Sequence, residues 1–370
     1  MAGIYIHIPF CKQACHYCNF HFSTSLRNKN ELVDALLKEI ELQAEYLSGE
    51  TVETVYFGGG TPSLLDQKEL GSILEKINTV FRPAPETELT LEANPDDIDQ
   101  GKLNLWKDLG FNRLSIGVQS FFDEDLEWMN RAHDASEARK SVELAVAYFP
   151  NITIDLIYGL PGLSNLRWQQ NIDTAVDLGV PHLSCYALTV EAKTPLDKLI
   201  RLHHKEDVDS DLQSQQFLLL MDKAAEAGYE HYEISNFAKP GFRSRHNSSY
   251  WNGKKYLGIG PSAHSFDGRT RSWNISNNTK YTRSIFEGNL PAESELLSDV
   301  QKTNEYIMTS LRTMEGLDLG RLSTARKDDL LRLSEKYIER GFMRKVADVL
   351  VLTNSGKLMA DGIASDLFFL

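Results

Sequence analysis

Ile4-Tyr-Ile-His-Ile-Pro-Phe-Cys11-Lys-Gln-Ala-Cys15-His-Tyr-Cys18 opens the chain with a β-branched run closed by a proline, then places three cysteines within eight residues. The alternation of Ile4, Ile6 and Ile8 predicts a strand, and Pro9 ends it. The thiols therefore follow the carboxyl end of a first strand. A cuboidal iron–sulfur cluster has four irons to ligate, so three unevenly spaced thiolates leave one iron open to another ligand. No fourth cysteine is near. Cys185, the only other one, sits in the apolar run His182-Leu-Ser-Cys-Tyr-Ala-Leu188, where the expectation is a buried small hydrophobe. The competing reading is a zinc site completed by His16 or His21, although zinc usually takes its cysteines as two CxxC turns.

Outward from this stretch, five more strand candidates alternate with amphipathic helical runs: 54–57, 88–92, 113–118, 153–157 and 182–188. Leu32, Leu36, Ile40, Ala44 and Leu47 recur at helical spacing after a capping-type Asn30, and similar helices fit 67–79, 99–109, 135–148 and 166–178. Six such units predict an α/β fold, a partial (β/α)6 barrel. In such a barrel the loops at the carboxyl ends of the strands carry the site. From about Glu191 the alternation breaks, and a helix through Phe217 to Ala227 precedes a stretch, 229–266, too rich in Gly, Asn and Ser to be regular throughout. The tail from Val300 pairs helical runs with the strand-like Met343–Val346 and Val349–Leu352, the order of a small winged-helix-like module. The expected organisation is a barrel over 1–190, a mixed α/β extension and linker over 191–298, and the winged-helix-like unit over 299–370.

Composition narrows the function classes. A formal net charge of -13 argues against a nucleic acid partner and against broad adhesion to anionic membrane, since both draw on Lys and Arg. In the tail, Lys and Arg exceed Asp and Glu only ten to eight between Val300 and Asp348, too little for a phosphate-tracking surface. Three of four cysteines in one loop read as a metal or redox site in a reducing compartment rather than a disulfide framework. With no charged-then-apolar leader and no apolar stretch of membrane-spanning length, a cytoplasmic protein is expected.

Four later segments fall where barrel strands end. Gly58-Gly59-Gly60-Thr61-Pro62 lets backbone approach a ligand without a Cβ in the way. Glu92 and Gln119 end the third and fourth strands, and Arg131 offers a planar fork to a carboxylate. Asp155 is an acid in an apolar strand, costly unless partnered. Each singly could be a capping or surface residue. Together with Cx3CxxC and the Tyr17 before its last cysteine, they resemble the radical S-adenosylmethionine superfamily. That resemblance implies a [4Fe-4S] cluster on Cys11, Cys15 and Cys18. Its open iron would chelate S-adenosylmethionine, in a site lined by Tyr5, Tyr17, Gly60, Thr61, Pro62, Glu92, Gln119, Arg131 and Asp155.

Two narrower resemblances follow. The segments already quoted, with Gly258-Ile-Gly-Pro-Ser-Ala-His264, are similar to the oxygen-independent coproporphyrinogen III oxidases of porphyrin metabolism. Those enzymes carry a further cysteine where this chain has Phe20, and an extension ahead of the first strand, which here begins at residue 4. His246-Asn-Ser-Ser-Tyr-Trp251 resembles the HNxxYW signature of HemW-type haem chaperones. This implies haem as cargo, contact through His246, Asn247, Tyr250 and Trp251, haem-accepting respiratory proteins as partners, and peripheral docking on membrane complexes. Neutral imidazole is a good axial ligand and the two aromatics offer flat surface to a porphyrin; the plainer alternative is a hydrogen-bonded histidine in a packed loop. Three functions are thus in play: haem chaperone without oxidase activity, coproporphyrinogen oxidase, and a zinc-binding interaction protein.

Overall fold

The computed structural model describes residues 1–370. Its first half repeats strand and helix: β1 (Ala2–Ile8), α1 (Lys29–Leu42), β2 (Val52–Gly59), α2 (Gln67–Phe81), β3 (Glu88–Ala93), α3 (Gln100–Asp108), β4 (Arg113–Gln119), α4 (Asp123–Met129), α5 (Ala135–Tyr148), β5 (Ile152–Tyr158), α6 (Asn165–Asp177) and β6 (His182–Ala187). Strands β1 to β6 are parallel neighbours in sequence order, an open (β/α)6 barrel as expected. Local signals explain the helix starts. Asp66 with Glu69 and Asp134 with Glu137 form capping boxes at α2 and α5. At α1 the cap position is Asn28, without a side-chain cap bond, and Asn30 lies inside the helix. That helix also stops at Leu42, short of the expected Leu47, which a turn still buries.

The strands divide their faces in an unusual way. Leu114, Ile116 and Val118 of β4 and Ile152, Ile154 and Leu156 of β5 point outward into the main core with the helices. Arg113, Ser115, Gly117 and Gln119, with Thr153, Asp155 and Ile157, alternate with them and line the inside. A barrel lined by charged and small polar side chains encloses a cavity where branched aliphatics would fill it.

The second half extends both sheet edges. After α7 (Pro195–Arg201) and α8 (Ser210–Glu226), β7 (Glu230–Glu233) and β8 (Asn236–Ala238) add antiparallel beyond β6. Then α9 (Arg245–Trp251) leads to β9 (Lys255–Ile259), parallel to β1, and β10 (His264–Phe266), β11 (Thr270–Asn274), α10 (Asn278–Phe286) and β12 (Ala292–Leu296) complete a twelve-stranded sheet. Stretch 229–266 thus holds four short strands and a helix, because pairing at the sheet edges supplies order that its Gly- and Asn-rich sequence does not. Glu39 of α1 ties this region down, accepting from Gly260 N and Asn274 Nδ2, each at 2.7 Å, and from the Tyr281 hydroxyl.

The tail builds a second core of thirteen buried residues. It comprises α11 (Asp299–Leu311), β13 (Leu317–Asp318), α12 (Thr324–Glu339), β14 (Met343–Val346), β15 (Val349–Leu352), α13 (Asn354–Lys357) and α14 (Ala360–Asp366), with sheet order β13-β15-β14. No helix is long and apolar enough to cross a membrane.

Candidate functional site

The cysteine loop is fastened before any ligand is considered. Cys11 N bonds Ser23 O and Ser23 N bonds Pro9 O, at 3.0 and 2.9 Å, closing its base. The C-terminal end of α4 holds its centre: His16 N donates to Met129 O, Asn130 Nδ2 to Ala14 O and Gln13 Nε2 to Asn130 O. Lys12 pairs with Asp96 and Asp97. The three cysteines are half-buried and line one cavity. Neither His16 nor His21 lines it; their rings bond Trp128 O and Asn278 Oδ1. No three His, Cys, Asp or Glu side chains, the three cysteines included, converge closely enough to hold a single ion. The donor set suits a larger cluster with three thiolate ligands. Burial pushes the Cys18 thiol up to about 11 and also raises Cys11. Cys185 is buried, as expected.

The cavity is about 370 Å³ and runs from the cysteines into the barrel. Of the nine residues expected around S-adenosylmethionine, Tyr17, Gly60, Thr61, Glu92, Gln119, Arg131 and Asp155 line it. Tyr5 and Pro62 do not: Pro62 starts a short 3₁₀ turn behind Thr61, and the Tyr5 ring stacks on Tyr56. A Cβ on Gly60 would lie 2.7 Å from the carbonyl oxygens of both Ile8 and Phe10, so glycine here lets β2 meet the cysteine loop itself. Gln119 takes a left-handed φ of 68°, a strained conformation for a residue with a side chain and a frequent mark of ligand sites.

Arg131 was expected as an open clamp, and the structure gives its fork protein partners. Nη1 donates to Cys15 Sγ at 3.2 Å, and Nη2 to Asn94 Oδ1 at 2.9 Å and Gly117 O at 2.7 Å. Asn94 in turn donates to Thr61 Oγ1 at 3.2 Å. Deeper in, Glu92 accepts from the Tyr56 hydroxyl at 2.7 Å and from Gly59 N at 3.1 Å. Burial pushes Glu92 up to about 7, against the Tyr56 hydrogen bond, and Asp155 also to about 7, against Arg113 and Arg131. The site thus holds two carboxyl groups poised to ionise as a cation enters.

The His246 segment forms α9, set against the starts of β2 and β3. His246 is 1% exposed. Its Nδ1 lies 2.8 Å from Thr54 Oγ1 and its Nε2 2.9 Å from the Tyr250 hydroxyl, so both ring nitrogens are engaged. Tyr250 packs edge-on against Tyr256, and Trp251 lies under the Arg312 guanidinium. Packing thus covers part of these half-buried rings, and hydrogen bonds engage both imidazole nitrogens. Only Asn247 of the four lines the cavity. Phe20, 65% exposed, also lines the cavity, as do Phe22, Tyr186 and Leu188.

Residues 5–175 match the model of the Radical SAM superfamily. Heme chaperone HemW of Mycobacterium tuberculosis is 35% identical over 99% of this chain and 94% of its own length. Heme chaperone HemW of Bacillus subtilis is 33% identical over 98% of each. The chain belongs to the HemW family of radical SAM proteins. The structure of coproporphyrinogen III oxidase (HemN) from Escherichia coli superposes with a TM-score of 0.85 at 22% identity, covering 99% of this chain and 90% of that one, a likeness of fold.

In this HemW-family chain, Asn94, Tyr56 and Arg113 also line the cavity. Parity could have found them. Asn94 stands two residues after Glu92 and Tyr56 four before Gly60, so each shares a strand face or its continuation with a residue expected in the site. Arg113 stands at the same parity on β4 as Gln119.

Proposed function

We propose that this protein is a haem chaperone that carries a [4Fe-4S] cluster on Cys11, Cys15 and Cys18, binds S-adenosylmethionine above Glu92 and Asp155, and delivers haem to haem-accepting respiratory proteins in the cytoplasm. The observation that carries the reading is the reach of the similarity. The match to proteins named haem chaperones covers 99% of the chain and so takes in the half beyond residue 175, outside the Radical SAM match. The single cavity joining the three cysteines to seven of the nine expected cofactor residues supports the cluster and cofactor assignments. A bound cluster of this type supplies single electrons to S-adenosylmethionine. The chain's own part is to seat the cofactor, exclude water and hold its cationic groups near two carboxyls. Within the α9 segment, haem contact is assigned to Asn247, the member facing the cavity. The 1–190, 191–298 and 299–370 division stands as the proposed domain organisation, the last unit a packing or docking domain.

The test is an anaerobic absorbance titration of the reconstituted protein with haem. Saturable binding near one equivalent is expected; none would overturn the reading. Incubation with coproporphyrinogen III, reductant and S-adenosylmethionine is expected to leave the substrate unchanged, and formation of protoporphyrinogen IX would establish the oxidase instead.

A further inference from the structure

We propose that His246 is a positioning residue for the S-adenosylmethionine site, holding the Tyr56 ring so that its hydroxyl meets Glu92, and that it does not ligate haem iron. This rests on the cofactor assignment above.

The connection can be followed atom by atom. Strand β2 contributes Thr54 and, two residues on, Tyr56; strand β3 contributes Glu88 and, four residues on, Glu92. Each strand therefore gives one residue to the floor beneath α9 and one to the cavity wall. On the floor, the two Glu88 carboxylate oxygens accept from Arg245 N and His246 N at 3.0 and 2.9 Å, which fixes the start of α9. The ring is then held on both edges by Thr54 Oγ1 and the Tyr250 hydroxyl. Gly3 leaves room for it, since a Cβ there would lie 2.8 Å from Thr54 Oγ1 and 3.3 Å from the imidazole.

So fixed, the imidazole stacks on Tyr56, centroids 5.0 Å apart and planes 22° from parallel, and Tyr5 stacks more loosely on the same two rings. Tyr56 pairs with Thr90 in the sheet register, so its hydroxyl must cross diagonally to reach Glu92 at 2.7 Å. Because the hydroxyl lies on the ring's own flip axis, its direction is set by the swing of the side chain about Cα–Cβ, and it is this swing that the imidazole packed on the Tyr56 face restrains. A hydrogen bond from Tyr56 also favours the charged form of Glu92, which a cationic or hydroxyl-bearing ligand requires. A ring closed in on both edges, by contrast, presents no free nitrogen to a haem iron.

The experiment uses the full-length protein with its cluster reconstituted anaerobically, and variants His246→Leu, Tyr56→Phe and their double. S-Adenosylmethionine affinity is read from the change it causes in the electron paramagnetic resonance signal of the reduced cluster; haem affinity is read by absorbance titration. Each single variant is expected to weaken S-adenosylmethionine binding about tenfold, the scale of one hydrogen bond to a charged acceptor. The double is expected to lose little more than either, because both act on one contact. If His246→Leu fails to fold, Thr54→Val, which removes one edge of the clamp, is expected to show a smaller loss with the same non-additivity. Unchanged S-adenosylmethionine binding in the folded variants, losses that add in full, or a selective tenfold loss of haem affinity would overturn the proposal. Absence of haem binding in the unaltered protein would instead strike the chaperone reading. An unaltered cluster signal blind to S-adenosylmethionine would strike the cofactor assignment.

Discussion

Nη1 of Arg131 lies 3.2 Å from Sγ of Cys15, so a guanidinium from the loop after β4 donates to one of the three thiols that would hold the cluster. Hydrogen bonds and positive charge at a cluster sulfur stabilise the reduced state. Arg131→Gln should therefore lower the reduction potential, by about 60 mV if the contact is worth a factor of ten in a one-electron couple. A redox titration followed by electron paramagnetic resonance measures this, and a potential that rises or stays put refutes it.

If S-adenosylmethionine binds as proposed, Glu92 and Asp155 should make its binding pH-dependent. Both are held near 7 by burial. Their folded values lie above the unfolded carboxyl range of about 4, so the stability they contribute is complete below that range and is lost as pH rises through 7. A bound sulfonium or ammonium reverses the preference. S-Adenosylmethionine affinity should then climb as pH rises towards about 7, with net proton release, and level off above it. Calorimetry in two buffers of different ionisation enthalpy should detect the proton, and Glu92→Gln should reduce it.

Glu39 should prove a stability residue with no part in binding. Its carboxylate accepts from Gly260, Asn274 and Tyr281 across the join between α1 and the added strands. Glu39→Ala strands these donors in a dry interior and should cost about 3 kcal/mol. The midpoint of denaturant unfolding reports the loss, with no change in S-adenosylmethionine affinity per folded molecule.

Gly60→Ala tests the seam between β2 and the cysteine loop. Its Cβ meets backbone oxygens of Ile8 and Phe10, which cannot rotate away. Overpacking of this kind should cost about 2 kcal/mol or more, and the displaced loop should retain less iron after reconstitution. Full iron retention and an unchanged melting temperature would contradict the account.

Strand and helix periodicity made the barrel legible, since all six parallel strands fall on runs whose alternation or β-branching is local information. The cavity was legible to the same extent: the three cysteines and seven of the nine residues expected around a cofactor line it, at strand ends or on loops where parity and spacing point. Tyr56 and Asn94 were within reach of the same parity. The short α4, whose carboxyl end fastens the cysteine loop, was not, because its seven residues carry too little periodicity to announce a helix.

What the sequence determined by itself is the set of reactive groups and the order in which the barrel presents them, because strand alternation and residue chemistry are properties of neighbours in the chain. What only tertiary structure decided is what those groups touch. His246 reads as an available imidazole until Thr54, 192 residues away, and Tyr250 occupy its two nitrogens. Arg131 reads as an open clamp until Cys15, Asn94 and Gly117 arrive from three other parts of the chain. Hydrogen-bond capacity is written in the residue, but whether it is spent depends on partners that folding brings together.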